Sequence, residues 1–111
     1  MTIRLIIERK DGPGSEARVF EKDAVLVGRE VAAAGGEDAW ILPYADVSRR
    51  QCRFSRVDGA LYVEGLSERN GTFVNGRRIE GTTLLRAGDR VRFGNASILV
   101  AGEPFHYGIE V

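Results

Sequence analysis

Short stretches of alternating apolar and polar residues recur along the chain, and this period of two predicts β-strands. In residues 2–8, for example, Ile3, Leu5 and Ile7 alternate with the polar residues Thr2, Arg4 and Glu8. Only Glu30–Ala34 has helical propensity, and two glycines follow it, so we expect at most one helical turn there. The same pattern places further strands at 17–21, 24–28, 51–57, 61–64, 72–75, 84–85, 90–93, 97–101 and 107–111.

Glycine-bearing turns separate these predicted strands. Asp58-Gly59 stands between two apolar runs, which is a strong short-range signal for a β-hairpin, and Asn75-Gly76 predicts a second hairpin corner. Many short strands, 14 glycines and no internal repeat or linker are typical of an antiparallel β-sandwich or barrel. We therefore expect residues 1–111 to form a single all-β domain.

Positive and negative charges balance over the whole chain. Lysine and arginine together number 16, as do aspartate and glutamate, so no global field attracts nucleic acid or an anionic membrane. No apolar run approaches the roughly 18 residues that span a bilayer. The N-terminus has no secretory signal pattern, and the single cysteine excludes an internal disulfide. We expect a cytoplasmic protein without a membrane partner.

Nearly all of the positive charge is arginine, because only Lys10 and Lys22 are lysines. The planar guanidinium group suits bidentate contact with phosphate, so the excess is compatible with a phosphate-binding surface. Arginine-rich codon usage would produce the same excess without any function. Composition alone leaves both interpretations open.

Three predicted loops carry the groups that an anion needs. Arg29 follows a strand and a glycine, Ser48 offers a hydroxyl beside Arg49, and Arg69 precedes the amide of Asn70. If these loops lie at one end of a sandwich, guanidinium groups, a hydroxyl and an amide converge on one site. The alternative is that the Asn-Gly pairs of this region are simply two hairpin corners.

A catalytic function has little support in the sequence. His106 is the only histidine and lies apart from any Asp, Ser or Cys constellation, while Cys52 falls on the inward face of a predicted strand. No metal-ligand spacing occurs. We expect no enzyme activity, no metal and no cofactor.

Nucleic-acid binding is a second alternative, because Arg49, Arg50, Arg53 and Arg56 lie close together in the sequence. Stacking with bases would require aromatic residues between them, but strand alternation directs Phe54 inward. The zero net charge also argues against this function. We expect no nucleic-acid partner.

Three sequence motifs occur in the order found in the forkhead-associated (FHA) domain family. They are Gly28-Arg29, the segment 47–51 (VSRRQ) and the segment 70–76 (NGTFVNG). The flanking segments 41–43 and 84–94 also fit, and the chain resembles this family over about residues 3–101. Each motif alone is weak, but three in order with matching flanks are specific.

The resemblance implies an eleven-stranded antiparallel β-sandwich whose loops at one end bind phosphothreonine. It implies that Arg29, Ser48 and Arg49 contact the phosphate, and that Arg69 reaches the phosphate or an adjacent peptide group. Asn70 would hold the peptide backbone just C-terminal to the phosphothreonine. The resemblance assigns structural support of the site to Gly28, Gln51, Gly71, Thr72, Asn75 and Gly76.

Two features depart from the family pattern. Gln51 stands where the family has a histidine that ties the binding loops together, and glutamine can also donate and accept hydrogen bonds. The segment 31–39 is long; it either covers the ligand or is a passive connection. The implied partner is a phosphothreonine protein, such as a Ser/Thr kinase or its substrate. A phosphate-independent interaction or self-association module is the alternative.

Overall fold

The computed structural model describes residues 2–10, 12 and 14–102, and in this part of the chain it contains eleven strands and no helix. Nor does any helix long and apolar enough to cross a bilayer occur among these residues. The strands are β1 (Ile3–Arg9), β2 (Ser15–Phe20), β3 (Ala24–Gly28), β4 (Asp38–Ile41), β5 (Cys52–Val57), β6 (Ala60–Gly65), β7 (Phe73–Val74), β8 (Arg77–Arg78), β9 (Thr82–Leu85), β10 (Arg90–Phe93) and β11 (Ala96–Val100).

The strands form two sheets that pack as a sandwich, so the predicted all-β fold is confirmed. One sheet has six strands in the order β2-β1-β11-β10-β7-β8, and the other has five in the order β4-β3-β5-β6-β9. Of the pairings between described strands, only β3 with β4 is parallel. The predicted antiparallel sandwich therefore contains one parallel pair, at the β4 edge of the five-stranded sheet. Residues 29–37 return the chain along the sheet before β4 begins, which makes β4 run in the same direction as β3.

The inward faces of both sheets supply one apolar core. Trp40, Phe54 and Phe93 are its largest fully buried side chains, and the ring of Phe20 lies 5.3 Å from that of Trp40. Each fully buried side chain of this kind stabilises the fold by about 1.5–3 kcal/mol. Cys52 faces inward as predicted, and its burial raises the pKa of the thiol, so it remains a protonated core residue.

Two short strands escaped prediction, and one predicted element does not form. Asp38–Ile41 and Arg77–Arg78 are strands although neither has a clear alternation of apolar residues. The helical turn expected at Glu30–Ala34 is absent: these residues form no regular element, and Val31 is buried. The strand predicted at 107–111 and the histidine at position 106 lie outside the described residues.

The two predicted hairpin turns are confirmed. Asp58 and Gly59 have φ values of 51° and 82° between β5 and β6, and Asn75 and Gly76 have 50° and 87° between β7 and β8. Positive φ at both central residues gives the turn a twist that matches antiparallel strands. The Asn75 side chain also donates to Asp89 Oδ1 and accepts from the Arg90 N–H, which joins this turn to β10.

Strand direction brings three connecting segments to one end of the sandwich. In the five-stranded sheet, the end of β3 and the end of β6 both lie beside Cys52, where β5 begins. The segments that leave these strand ends, together with 42–51, therefore meet there. The Asn75-Gly76 turn lies at the opposite end, because β7 runs away from the 66–72 segment.

We expect Asn75→Ala to lower the free energy of unfolding by about 1–3 kcal/mol, because it removes two hydrogen bonds and because alanine tolerates positive φ less well than asparagine does. Asn75→Gly removes the same bonds but accepts this conformation, so it should lose less. Chemical denaturation of both variants measures the difference. Unfolding free energies equal to that of the unmodified chain would contradict this account of the turn.

Candidate functional site

One depression at the loop end contains all five residues predicted to contact a ligand. Its lining consists of Arg29, Ala45, Val47, Ser48, Arg49, Arg69 and Asn70. They come from three separate segments of the chain, as the sandwich topology requires. No residue of the long segment 31–39 lines it, and Glu37 is instead held by Arg53 at 2.6 Å on the outer face of the five-stranded sheet. This hydrogen bond lowers the pKa of Glu37.

Backbone hydrogen bonds fasten the first two segments to each other. The Arg29 N–H donates to the Ser48 carbonyl at 2.9 Å, and the Glu30 N–H donates to the Arg49 carbonyl at 3.2 Å. Gly28 permits this approach, since a β-carbon there would overlap the Arg49 carbonyl group. The glycine of the Gly-Arg pair is therefore required by packing, and Arg29 leaves the strand beside Ser48.

The buried amide of Gln51 joins the second segment to the third. Its Oε1 accepts from the Ser48 N–H at 3.0 Å and from Asn70 Nδ2 at 3.4 Å. Its Nε2 donates to the Gly71 carbonyl at 3.1 Å and to Thr72 Oγ1 at 3.3 Å. Gln51 is completely buried, so it connects the two loops without contact with solvent. Glutamine thus provides a donor and an acceptor at the position where the family pattern has histidine.

A second network surrounds the Asn70 side chain. Asn70 Nδ2 donates to Ser48 Oγ at 2.7 Å and to the Asp46 carbonyl at 3.2 Å. Ser67 Oγ lies 2.6 Å from Ser48 Oγ and accepts from the Asn70 N–H at 3.2 Å. Within the described part of the chain, Asn70 Oδ1 has no partner and is available as an acceptor. Asn70-Gly71 does not form a hairpin corner, because β6 and β7 belong to different sheets.

Sequence reasoning missed Ser67, Ala45, Val47 and Asp46. For Ser67 a signal existed, because a serine three residues before an asparagine often bonds that residue's N–H. Its hydroxyl can exchange donor and acceptor roles with Ser48, which lets the Ser48 hydroxyl turn toward a ligand. No sequence signal marked the two apolar lining residues.

Asp46 anchors the second segment to the six-stranded sheet. Its carboxylate accepts from the Asn95 N–H at 2.7 Å and from Arg9 at 3.0 Å, and the Arg9 guanidinium lies 3.8 Å from the centre of the Tyr44 ring. Partial burial alone would raise the pKa of Asp46, but the hydrogen bonds from Asn95 and Arg9 outweigh it and lower the pKa. At neutral pH the Asp46 carboxylate is therefore ionised and ties segment 42–51 to the six-stranded sheet, in addition to the bonds that join this segment to the five-stranded sheet.

The positive charge at the site is only partly neutralised. Arg29 Nε is buried without a hydrogen-bond partner among the described residues, and a buried donor left unpaired costs about 1–3 kcal/mol. Arg69 is exposed and forms no ion pair with any described residue. Arg49 pairs with Glu30 at 3.5 Å, but both side chains are largely exposed. These donors favour an anionic ligand.

No group of three or more His, Cys, Asp or Glu side chains among the described residues could hold a metal ion. The arrangement consists of hydrogen-bond donors and cations around a shallow, polar depression, which is suited to binding an anion.

The family model of the FHA domain matches residues 25–94. The chain belongs to the FHA domain family. FHA domains are interaction modules, and related structures support phosphopeptide recognition by this fold.

Several known proteins are similar over most of the chain. An oxoglutarate dehydrogenase inhibitor of Corynebacterium diphtheriae is 32% identical over 101 residues, which cover 90% of this chain and 65% of the inhibitor. This chain therefore spans about two thirds of that relative. A structure described as part of an analysis of phosphothreonine-dependent FHA domain interactions is 26% identical, with a TM-score of 0.70 over 91% of this chain and 98% of that chain.

The FHA domain of FhaA, solved in complex with the intracellular domain of Rv3910, is also 26% identical. Its TM-score is 0.67, and the match covers 86% of this chain and 98% of that chain. These comparisons agree with the two-sheet architecture.

We expect Gln51→Met to lower the free energy of unfolding by about 2–4 kcal/mol, because it retains the side-chain length but leaves the Ser48 N–H and the Gly71 carbonyl unpaired. Gln51→His keeps a donor and an acceptor, so it should lose less. Thermal or chemical denaturation compares the two. If Gln51→Met is as stable as the unmodified chain, the Gln51 hydrogen bonds do not hold the loops.

Proposed function

We propose that this FHA domain recognises threonine-phosphorylated proteins and mediates phosphorylation-dependent protein–protein interaction, downstream of a Ser/Thr kinase. The observation that carries the proposal is the buried, unpartnered Arg29 Nε in a depression that also contains Ser48 and Arg69. A phosphate oxygen in the depression would pair with this donor once rotation of the Arg29 side chain brings Nε to the surface. Charge-assisted bonds contribute about 1.5–3 kcal/mol each, so a few of them support roughly micromolar affinity.

The remaining lining residues divide the contacts between phosphate and peptide. Arg49 adds charge from the rim, while Asn70 Oδ1 is placed to accept an N–H of the peptide backbone. Of the two apolar lining residues, Val47 is buried and Ala45 is exposed, so Ala45 is available to the threonine methyl group. A contact of this methyl group with Ala45 would favour phosphothreonine over phosphoserine.

The similarity to the Corynebacterium diphtheriae protein suggests one specific class of phosphorylated partner for this domain. That relative is named as an inhibitor of oxoglutarate dehydrogenase, and 32% identity over 90% of this chain supports a metabolic enzyme complex as one candidate target. Addition of the domain to purified oxoglutarate dehydrogenase tests this candidate. The other candidates are a Ser/Thr kinase and its substrates.

We expect Arg29→Ala to weaken binding of a phosphothreonine peptide about 10–100-fold, because the variant loses a charge-assisted bond at the phosphate. The peptide is first selected from a degenerate phosphothreonine library, and fluorescence anisotropy measures its affinity. Binding should also weaken as salt rises, since the contacts are ionic and partly exposed.

Arg86→Ala is the matched control. Arg86 is an exposed arginine in the turn between β9 and β10, at the end of the sandwich opposite the site, and its loss should leave affinity unchanged. Equal binding of phosphorylated and unphosphorylated peptide, undiminished in Arg29→Ala, would instead favour a phosphate-independent interaction module.

A further inference from the structure

The outer face of the six-stranded sheet carries a row of side chains that begins next to the candidate site. Strand register places Arg78, Phe73 and Arg92 side by side on β8, β7 and β10, and continues the row to Ser97 and Glu8. Neighbouring strands lie about 4.8 Å apart, so the side chains of this row are within reach of one extended segment.

Three arginines dominate this part of the face, and we call Arg78, Arg90 and Arg92 the arginine strip. Arg90 points to the same face of the sheet as Arg92 and lies two residues further from the site along β10. Glu8 is the only acidic residue at an outward position of the described strands in this sheet, and it lies 3.6 Å from Arg90. Arg92 forms no ion pair or hydrogen bond with any described residue. The strip is therefore a local positive surface on a chain of zero net charge.

Arg92 is held in a defined position without being neutralised. Its guanidinium lies 4.3 Å from the centre of the Phe73 ring, a cation–π contact that leaves the N–H edges of the group exposed. A guanidinium fixed in this way loses less conformational entropy when it binds a carboxylate. The same contact covers Phe73, so the face offers no free aromatic ring for stacking with a nucleic-acid base.

The strip is continuous with the candidate site through Gly71. Gly71 has a φ of 75°, and a β-carbon there would lie 3.0 Å from Arg78 Cζ and 3.2 Å from Phe73 Cε1. Arg78 is fixed by donation to the Glu68 carbonyl at 2.6 Å. A peptide that is held by Asn70 therefore meets Arg78 next.

We propose that the arginine strip binds an acidic segment of the phosphorylated partner, located C-terminal to its phosphothreonine. This inference rests on the proposed function, because Asn70 is there assigned to the backbone C-terminal to the phosphothreonine. The cleft on the other side of Arg78 contains Glu68 and Glu80, which would repel carboxylates. Acidic side chains are thus directed across Phe73 toward Arg92.

The test compares affinities of related peptides by fluorescence anisotropy at low salt. Three extended peptides are made from a minimal phosphothreonine peptide that binds the domain. The first carries glutamates at its C-terminus, the second carries glutamines at its C-terminus, and the third carries glutamates at its N-terminus. We expect the C-terminal glutamates to strengthen binding about fivefold, and the other two extensions to change it little.

Arg92→Gln should abolish the gain from C-terminal glutamates and leave binding of the minimal peptide unchanged. Arg86→Gln, which removes one charge at the distant turn, should preserve the gain.

An equal gain from N-terminal glutamates, or a gain that survives in Arg92→Gln, would overturn the inference. The inference would also be overturned if the minimal peptide binds but C-terminal glutamates do not strengthen its binding; that result would leave the proposed function intact. If the minimal peptide binds independently of Arg29, the proposed function fails and this inference fails with it. Loss of the gain when RNA or anionic vesicles are added as competitors would show that the strip binds anions nonspecifically, and would also overturn the inference.

Discussion

The candidate site depends first on the buried side chain of Gln51. A loop at the end of a sandwich is held only at its strand ends, so its polar groups need partners from other loops. Gln51 provides them, because its two amide atoms bond the Ser48 segment and the Gly71 segment within a site closed to solvent. A hydrogen bond in such surroundings is stronger than at the surface, and its loss is correspondingly costly. The positions of Ser48 and Asn70 follow from this one residue.

Further contacts position the loops that Gln51 connects. Gly28 allows β3 to approach the Arg49 carbonyl, and Asp46 ties the same loop to the opposite sheet. With the loops fixed, Arg29 and Asn70 present a donor and an acceptor that have no partner within the described residues. A site arranged before its ligand arrives loses less entropy on binding, which is how a few contacts give useful affinity. The arginine strip extends the same principle, because Phe73 holds Arg92 in place.

Sequence reasoning predicted the fold well where local chemistry determines it. Alternation identified the inward residues of β5 and β10, and the two turns at Asp58 and Asn75 required residues that tolerate positive φ. Strand β4 was missed because its pairing is parallel and depends on a connection of nine residues that leaves no local pattern. The convergence of the loops was inferred from the ordered motifs. The bond of Ser67 to the Asn70 N–H follows a local spacing rule, whereas its contact with Ser48 spans 19 residues and no spacing rule reveals it.

The central claim is that the Arg29 guanidinium, whose Nε–H has no partner among the described residues, binds the phosphate. Nuclear magnetic resonance of the ¹⁵N-labelled chain observes this N–H directly during titration with a phosphothreonine peptide. The account predicts a large downfield shift of the Arg29 Nε–H proton and slower exchange with water, together with shifts at Ser48 and Asn70. The unphosphorylated peptide should produce neither effect. An Arg29 signal that remains unchanged while the phosphorylated peptide binds would contradict the account.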